Sequence, residues 1–166
     1  MSAVETELCS RRVSGRIPQL RGVLFDLPHV VASAGDVLRK AEVADRCMVI
    51  AGSFFESVPE GGDGYLMKRI IHDWDDKRAG AILTTCRRAM GGKAKLLILD
   101  EVLPEHADPA DAASFMIDME MLTVAPGGRE RTEEEFRQLL GAVGLRLSRV
   151  VPTGFMRLGI VEALAA

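Results

Sequence analysis

Short apolar runs alternate with helical patterns along this chain, and this alternation restricts the fold more than any other feature. The clearest run, residues 95–101, is apolar until it ends in two acids. Shorter apolar runs lie at Gly22–Asp26, Cys47–Ala51 and residues 65–67. Strands that are apolar along their length are typical of a parallel sheet covered by helices on both faces. The pattern therefore predicts an α/β fold.

Helix signals separate most of these runs. Pro28 opens one predicted helix, whose inner face would carry Val30, Val31, Val37 and Leu38. A second helix is predicted over residues 76–90, ending at a Gly-Gly pair, and a third over residues 110–122. Thr132 and Glu135 have the spacing of a capping box and predict a fourth helix that runs to residue 144.

The chain is predicted to finish with two strands, residues 145–152 and 156–163, joined by a short loop through Gly154. A parallel return needs a crossover of about a dozen residues or more, so this connection predicts an antiparallel pair. A mostly parallel sheet that ends in an antiparallel hairpin resembles the organisation of class I S-adenosylmethionine-dependent methyltransferases.

Composition narrows the class of protein. The 166 residues suit one compact domain, which we place at residues 22–166 behind a poorly structured arm of residues 1–21. A net charge of −3 gives no electrostatic case for binding nucleic acid or an anionic membrane. The apolar runs are of strand length, and the three cysteines form no CxxC pattern. These features predict a cytoplasmic protein with reduced thiols.

Polar residues cluster where the run at 65–67 ends. His72, Asp73 and Trp74, the only tryptophan, follow within a few positions. Open α/β sheets place their functional sites at the carboxyl ends of their strands. On the residues alone, His72 is either a general base or a turn histidine satisfied by the backbone, and Asp73 is more typical of a loop or helix start.

Five segments carry a family resemblance: residues 25–29, 52–55, 68–74, 100–101 and 127–132. In this order and spacing they resemble the C-terminal half of the plant-type small-molecule O-methyltransferases. This family includes the caffeic acid and acetylserotonin enzymes and bacterial enzymes that methylate aromatic polyketides. The resemblance implies a Rossmann-like class I sheet and S-adenosyl-L-methionine as cofactor. It also implies methyl transfer to a hydroxyl of a small aromatic or polyketide-like molecule.

The resemblance implies that His72 is the general base and that Glu101 and Glu130 flank it. A histidine suits this role because its ordinary pKa of about 6.5 lies close to working pH. A base histidine also needs its second ring nitrogen held by an acceptor. Taken without the resemblance, Glu101 is equally a solvated acid at a strand end, and Glu130 equally part of a surface charge cluster.

The resemblance also implies binding residues. Asp26 ends a strand where a carboxylate can accept ribose hydroxyls, although it can instead cap the following helix. Trp74 and the methionines permit ordinary core packing as an alternative, which we prefer for Met121. The implied cofactor-binding residues are Asp26, Ser53, Phe54 and Lys68, and the implied substrate-binding residues are Trp74, Met116 and Met119. No spacing of His, Asp and Glu suggests a metal, and the family needs none.

Two departures from the family pattern affect these expectations. Ser53 stands where the family usually has an aspartate, and a hydroxyl makes weaker bonds than a carboxylate. The usual first strand with its glycine-rich loop, and the family's N-terminal dimerisation domain, are not found in residues 1–21. A catalytic segment that binds the cofactor weakly is therefore expected. An inactive remnant, or an interaction module that pairs with a full-length homologue, is the alternative. A nicotinamide-dependent oxidoreductase is disfavoured, because no GxGxxG loop is present.

Overall fold

The protein is described by a computed structural model that covers residues 17, 19–106, 127–155 and 157–166. The chain divides into two compact units, Met1–Pro59 and Glu60–Ala166, which are taken in turn. The helix predicted over residues 110–122 and most of the predicted arm lie outside the described residues.

The first unit contains a two-stranded parallel sheet. Its elements are β1 (Gly22–Asp26), α1 (Pro28–Val31), α2 (Ala34–Lys40) and β2 (Cys47–Ala51). β1 and β2 run in register from the Gly22–Cys47 pair to the Asp26–Ala51 pair, so both strands end at the same edge. Both strands match the predicted bounds.

The single helix predicted after Pro28 is in fact two short helices. Val31, Ala34 and Leu38 are buried, whereas Val30 and Val37 are only half-buried. The chain leaves the helix immediately after the pair of β-branched valines and re-enters it behind Ser33. β-Branched residues and serine are both weak helix formers in an interior position, which explains the break.

The second unit contains a mixed five-stranded sheet. Its elements are β3 (Gly64–Lys68), one 3₁₀ turn (Ile71–Asp73), α3 (Asp76–Ala89), β4 (Lys95–Leu103), β5 (Arg131–Thr132), α4 (Glu133–Gly141), β6 (Leu145–Pro152) and β7 (Leu158–Ala165). The strand order is β3-β4-β7-β6, and β5 pairs with the end of β4. β3 and β5 are parallel to β4, while β7 is antiparallel to both β4 and β6. The predicted closing hairpin is confirmed.

The core of this unit joins one face of β4 to the inner sides of α3 and α4. Buried side chains recur on the two helices at helical spacing, which the apolar pattern of the sequence requires. They are Ala79, Ile82, Leu83 and Cys86 on α3, Phe136, Leu139 and Leu140 on α4, and Leu96 and Ile98 on β4. Asp100 follows Ile98 at the next position of the same alternation and is fully buried. An acid therefore occupies a core position at the end of the buried strand.

Several boundaries differ from the prediction. α4 ends at Gly141 and not at residue 144, and the turn that follows passes through Gly144 at a φ of 73°. β5 was not predicted, because two residues are too short to show a period. The capping box is present as predicted: the Glu135 amide donates to Thr132 Oγ1, and the Thr132 amide donates to the Glu135 carboxylate. None of the helices in the described ranges is long and apolar enough to cross a membrane.

Candidate active site

The strand register of the second unit gathers His72, Asp100, Glu101 and Glu130 at one end of β4. β3 ends at Lys68, opposite Leu99, so Asp100 and Glu101 extend beyond β3 beside the turn that carries His72. β5 pairs Arg131 with Val102 in parallel, which places the preceding Glu130 next to Glu101. The carboxyl ends of parallel strands thus bring together residues 58 positions apart.

A buried hydrogen bond joins His72 to Glu130. The distance from His72 Nδ1 to Glu130 Oε1 is 2.7 Å, and the residues are 6% and 3% exposed. An ionised carboxylate can only accept hydrogen bonds, so Nδ1 carries the proton that is donated. The neutral imidazole therefore has its lone pair on Nε2, which lies 3.5 Å from Asp73 Oδ1.

The backbone holds the two partners in this position. The amide of Arg129 donates to the carbonyl of His72 at 2.8 Å. Gly127 has a φ of 86°, and a Cβ at this position would lie 3.3 Å from Asp75 Cβ. Glycine adopts this conformation readily and has no side chain to fill the space beside Asp75. Gly127 therefore allows the segment before Glu130 to lie close against the His72 turn.

Asp100 and Glu101 are buried beside this pair. Glu101 Oε1 lies 3.8 Å from the guanidinium of Arg69, whose backbone has a φ of 52°. The sequence predicted that Glu101 and Glu130 both flank His72. Glu130 makes the direct bond, and the charge partner of Glu101 is Arg69.

These surroundings change the affinity of the site for protons. Burial lowers the pKa of His72, but the bond to Glu130 and the charges of Asp100, Glu130 and Asp73 outweigh it, so the pKa is raised above 6.5. Burial raises the pKa of Asp100 to about 7, against the opposing effect of His72. Burial, followed by repulsion from Glu130, raises the pKa of Glu101, while Arg69 opposes both. His72, Asp100 and Glu101 therefore each hold a proton more tightly than they would in water.

The other predicted residues of this unit have ordinary positions. Lys68 is half-buried at the end of β3. Trp74 is half-buried, and the guanidinium of Arg78 lies 5.2 Å from the centre of its ring. Met116 and Met119 lie outside the described residues, as does Met121. In the described parts of the chain, no three His, Cys, Asp or Glu residues are grouped as metal ligands.

The first unit places Asp26 and Ser53 at one edge of its sheet. Asp26 ends β1 opposite Ala51, and one of its carboxylate oxygens accepts from the Leu27 amide at 2.7 Å. Ser53 follows β2 by two residues, and its hydroxyl accepts from the Phe55 amide at 3.3 Å. Phe54 packs against Phe55 with ring centres 5.0 Å apart. A Cβ at Gly52 would lie 2.5 Å from the Phe25 ring, so glycine is required there.

Sequence reasoning missed two residues of the site. Asp100 was passed over in favour of its neighbour Glu101, although an acid at a core position of an apolar strand is itself a signal. Arg131 was read only as part of a charge cluster, yet it is fully buried behind the His72 turn. Nothing in its local sequence distinguishes a buried arginine from a surface one.

Comparison with known proteins gives the family. Residues 9–146 match the family model described as the O-methyltransferase domain. A phenazine O-methyltransferase of Lysobacter antibioticus is 47% identical over 146 residues, which cover 88% of this chain and 42% of that protein. The caffeic acid 3-O-methyltransferase of Zea mays is 39% identical over 134 residues, covering 80% of this chain and 35% of that protein.

Solved structures agree with these matches. An O-methyltransferase from neocarzinostatin biosynthesis, in complex with S-adenosylmethionine and 2-hydroxy-5-methyl naphthoic acid, is 30% identical with a TM-score of 0.81. The match covers 93% of this chain and 44% of that one. The chain thus spans less than half the length of each of these three relatives. It has the Rossmann-like fold of class I methyltransferases, as expected, and it belongs to the O-methyltransferase domain family.

Proposed function

We propose that this chain provides the catalytic base of an S-adenosylmethionine-dependent O-methyltransferase that acts on a hydroxyl of a small aromatic or polyketide-like molecule. The observation that carries the proposal is the buried bond between His72 Nδ1 and Glu130 Oε1 at 2.7 Å. It fixes the tautomer whose Nε2 is free of a proton. That tautomer is the one a general base requires.

His72 accepts the proton of the substrate hydroxyl at Nε2. A neutral phenol is a poor nucleophile, and its oxygen gains electron density as this proton leaves. The Glu130 carboxylate stabilises the imidazolium that results, because it already accepts the Nδ1 proton. S-adenosylmethionine, when bound, supplies the methyl group. Burial of the four-residue cluster keeps the proton transfer away from bulk water.

The first unit fits the nucleoside part of this cofactor. Asp26 and Ser53 present a carboxylate and a hydroxyl at the same edge of the sheet. Next to Ser53 is Gly52, where the Phe25 ring leaves no room for a side chain. A carboxylate accepts the two ribose hydroxyls, and the serine hydroxyl is able to bond the base. We therefore assign Asp26, Ser53 and Phe54 to the nucleoside. Lys68 is assigned to the cofactor by resemblance. The aromatic ring of Phe54 would pack on the aromatic ring of the nucleoside.

The relatives indicate the class of substrate. Their names describe O-methylation of phenazine and caffeic acid, which are small aromatic compounds. We propose a small aromatic hydroxyl compound of secondary metabolism as substrate, with Trp74 beside it. Cys47 and Cys86 are free thiols, which fits a reducing compartment such as the cytoplasm.

Glu130→Gln tests the assignment of the base. The amide keeps the shape of the side chain but loses the charge that raises the pKa of His72. We expect the acidic limb of the pH–rate profile for methyl transfer to move to lower pH, since a base with a lower pKa is deprotonated at lower pH. The maximal rate should fall by a factor between about 10 and about 10⁴. The upper figure is the effect of the corresponding carboxylate-to-amide change in the Ser-His-Asp triad.

The assay follows labelled methyl from S-adenosylmethionine onto a panel of small aromatic hydroxyl compounds. Glu134→Gln is the matched control, because Glu134 is exposed on α4. It should leave both the profile and the rate unchanged. Equal profiles for Glu130→Gln and the wild type would contradict the proposal.

Ser53→Asp tests the cofactor assignment through one of the departures from the family. A carboxylate at this position makes charge-assisted bonds in place of neutral ones, a difference of about 1 kcal/mol. We expect the dissociation constant for S-adenosylmethionine, measured by calorimetry, to fall about fivefold. Ser57→Asp adds the same charge four residues away and should have no effect. An affinity equal to that of the wild type for Ser53→Asp would contradict a role for residue 53 in holding the cofactor.

A further inference from the structure

Arg131 is the largest fully buried side chain of the described residues, at 1% exposure. Arginine is almost never fully buried unless its charge is paired. It forms an ion pair with Asp76, whose side chain is 61% exposed. A single half-solvated carboxylate gives little reason to bury a whole guanidinium, so its other contacts need an explanation.

The guanidinium donates five hydrogen bonds, one for each of its N–H groups. Nε and one terminal nitrogen donate to Asp76 Oδ1 at 3.1 and 2.8 Å. The same terminal nitrogen donates to the Trp74 carbonyl at 2.9 Å. The other donates to the carbonyls of Ile71 and Arg129 at 3.1 and 3.4 Å. Asp76 Oδ1 accepts two of these bonds, and the other three acceptors are backbone carbonyls.

These carbonyls surround the base and its partner. Ile71 directly precedes His72, and Trp74 follows it by two residues. Arg129 directly precedes Glu130, and its amide donates to the His72 carbonyl at 2.8 Å. The planar fork of one side chain thus ties the turn that carries His72 to the segment that carries Glu130.

We infer that Arg131 is a positioning residue that sets the geometry of the His72–Glu130 pair through the backbone carbonyls of Ile71, Trp74 and Arg129. The base role of His72 rests on the proposed function, but the positioning itself does not. A simpler alternative is that Arg131 only stabilises the fold. The two differ in what happens to His72 when the fork is lost and the positive charge is kept.

Arg131→Lys separates the two explanations. Lysine keeps the charge, but its single ammonium lacks the planar fork and cannot serve all four acceptors. The pKa of His72, followed by NMR in histidine-labelled chain, should fall toward 6.5, because the bond to Glu130 lengthens. Because the charge at residue 131 is unchanged, a lower pKa of His72 could not come from the loss of that charge. His72→Gln assigns the signal among the three histidines.

Arg137→Lys is the matched control. Arg137 is exposed on α4 and pairs with Glu133 and Glu134, away from the turn. It should leave the pKa of His72 unchanged. If Arg131→Lys lowers the melting temperature but leaves the pKa of His72 at its wild-type value, Arg131 is structural only and the inference is overturned.

If Arg131→Lys does not fold, Asp76→Asn takes its place. This change weakens two of the five bonds at an exposed acceptor. The readout is hydrogen exchange of the Arg129 amide, which should become faster by about tenfold relative to amides of β4. Equal acceleration of all amides would show a general loss of stability and would overturn the inference.

In a preparation that methylates a phenol, Arg131→Lys should lower kcat by about ten- to a hundredfold with KM nearly unchanged, since small misplacements of catalytic groups cost this much. The acidic limb of the profile should move to lower pH. Failure of the proposed function would look different: His72→Gln would then retain activity. If His72→Gln is inactive and Arg131→Lys behaves as Arg137→Lys, only the positioning role fails.

Discussion

His72→Gln is expected to lower the rate of methyl transfer by about 10²- to 10⁴-fold, the range that a positioned general base supplies. Glutamine retains an amide that donates to Glu130, so the buried carboxylate keeps a partner and the fold should survive. The first unit carries the residues assigned to the nucleoside. Affinity for S-adenosylmethionine, measured by calorimetry, should therefore stay close to that of the wild type.

The acidity of the substrate distinguishes a base from a structural residue. A phenol that is already ionised at the assay pH needs no proton acceptor, so the defect of His72→Gln should shrink as the phenol becomes more acidic. His29→Gln, at an exposed position on α1, serves as the control and should be neutral. A defect of the same size across all phenols would mean that His72 does not take the proton.

Asp100→Asn is expected to remove a large pH dependence of stability. The pKa of Asp100 is about 7 in the folded protein and ordinarily 3.8. Between these values the folded state holds a proton that the unfolded state has lost, so the free energy of unfolding falls as pH rises from about 4 to about 7. The full effect is on the order of 4 kcal/mol above pH 7 and is absent below about 4.

Asparagine resembles the protonated carboxyl, so the variant should lose this slope and exceed the wild type in stability at pH 8. Urea unfolding at several pH values measures it. His72 adds a slope of the same sign, because its raised pKa gives stability that is lost as pH rises through it. Asp63→Asn, at an exposed position, should retain the wild-type slope. Parallel curves for Asp100→Asn and the wild type would exclude a proton on Asp100.

Much of the fold follows from local signals. The apolar runs predicted β1, β2 and β4, the capping box predicted the start of α4, and the short loop predicted that β6 and β7 are antiparallel. These predictions succeed because periodicity, capping and loop length act within a few residues. The two-residue β5 was missed because it depends on pairing with the distant strand β4. The break between α1 and α2 was also missed, although its weak helix formers are a local signal.

The same distinction between local signals and long-range contacts applies to the candidate site. The sequence alone determined that His72, Asp100 and Glu101 lie at the ends of strands or in the turn that follows. Only the tertiary structure decided that Glu130 bonds His72, that Glu101 pairs with Arg69 and that Asp100 is fully buried. It also decided that Arg131 is buried behind the turn. The physical reason is that a strand end is encoded locally, whereas burial and charge pairing depend on strand register across segments that are far apart in the chain.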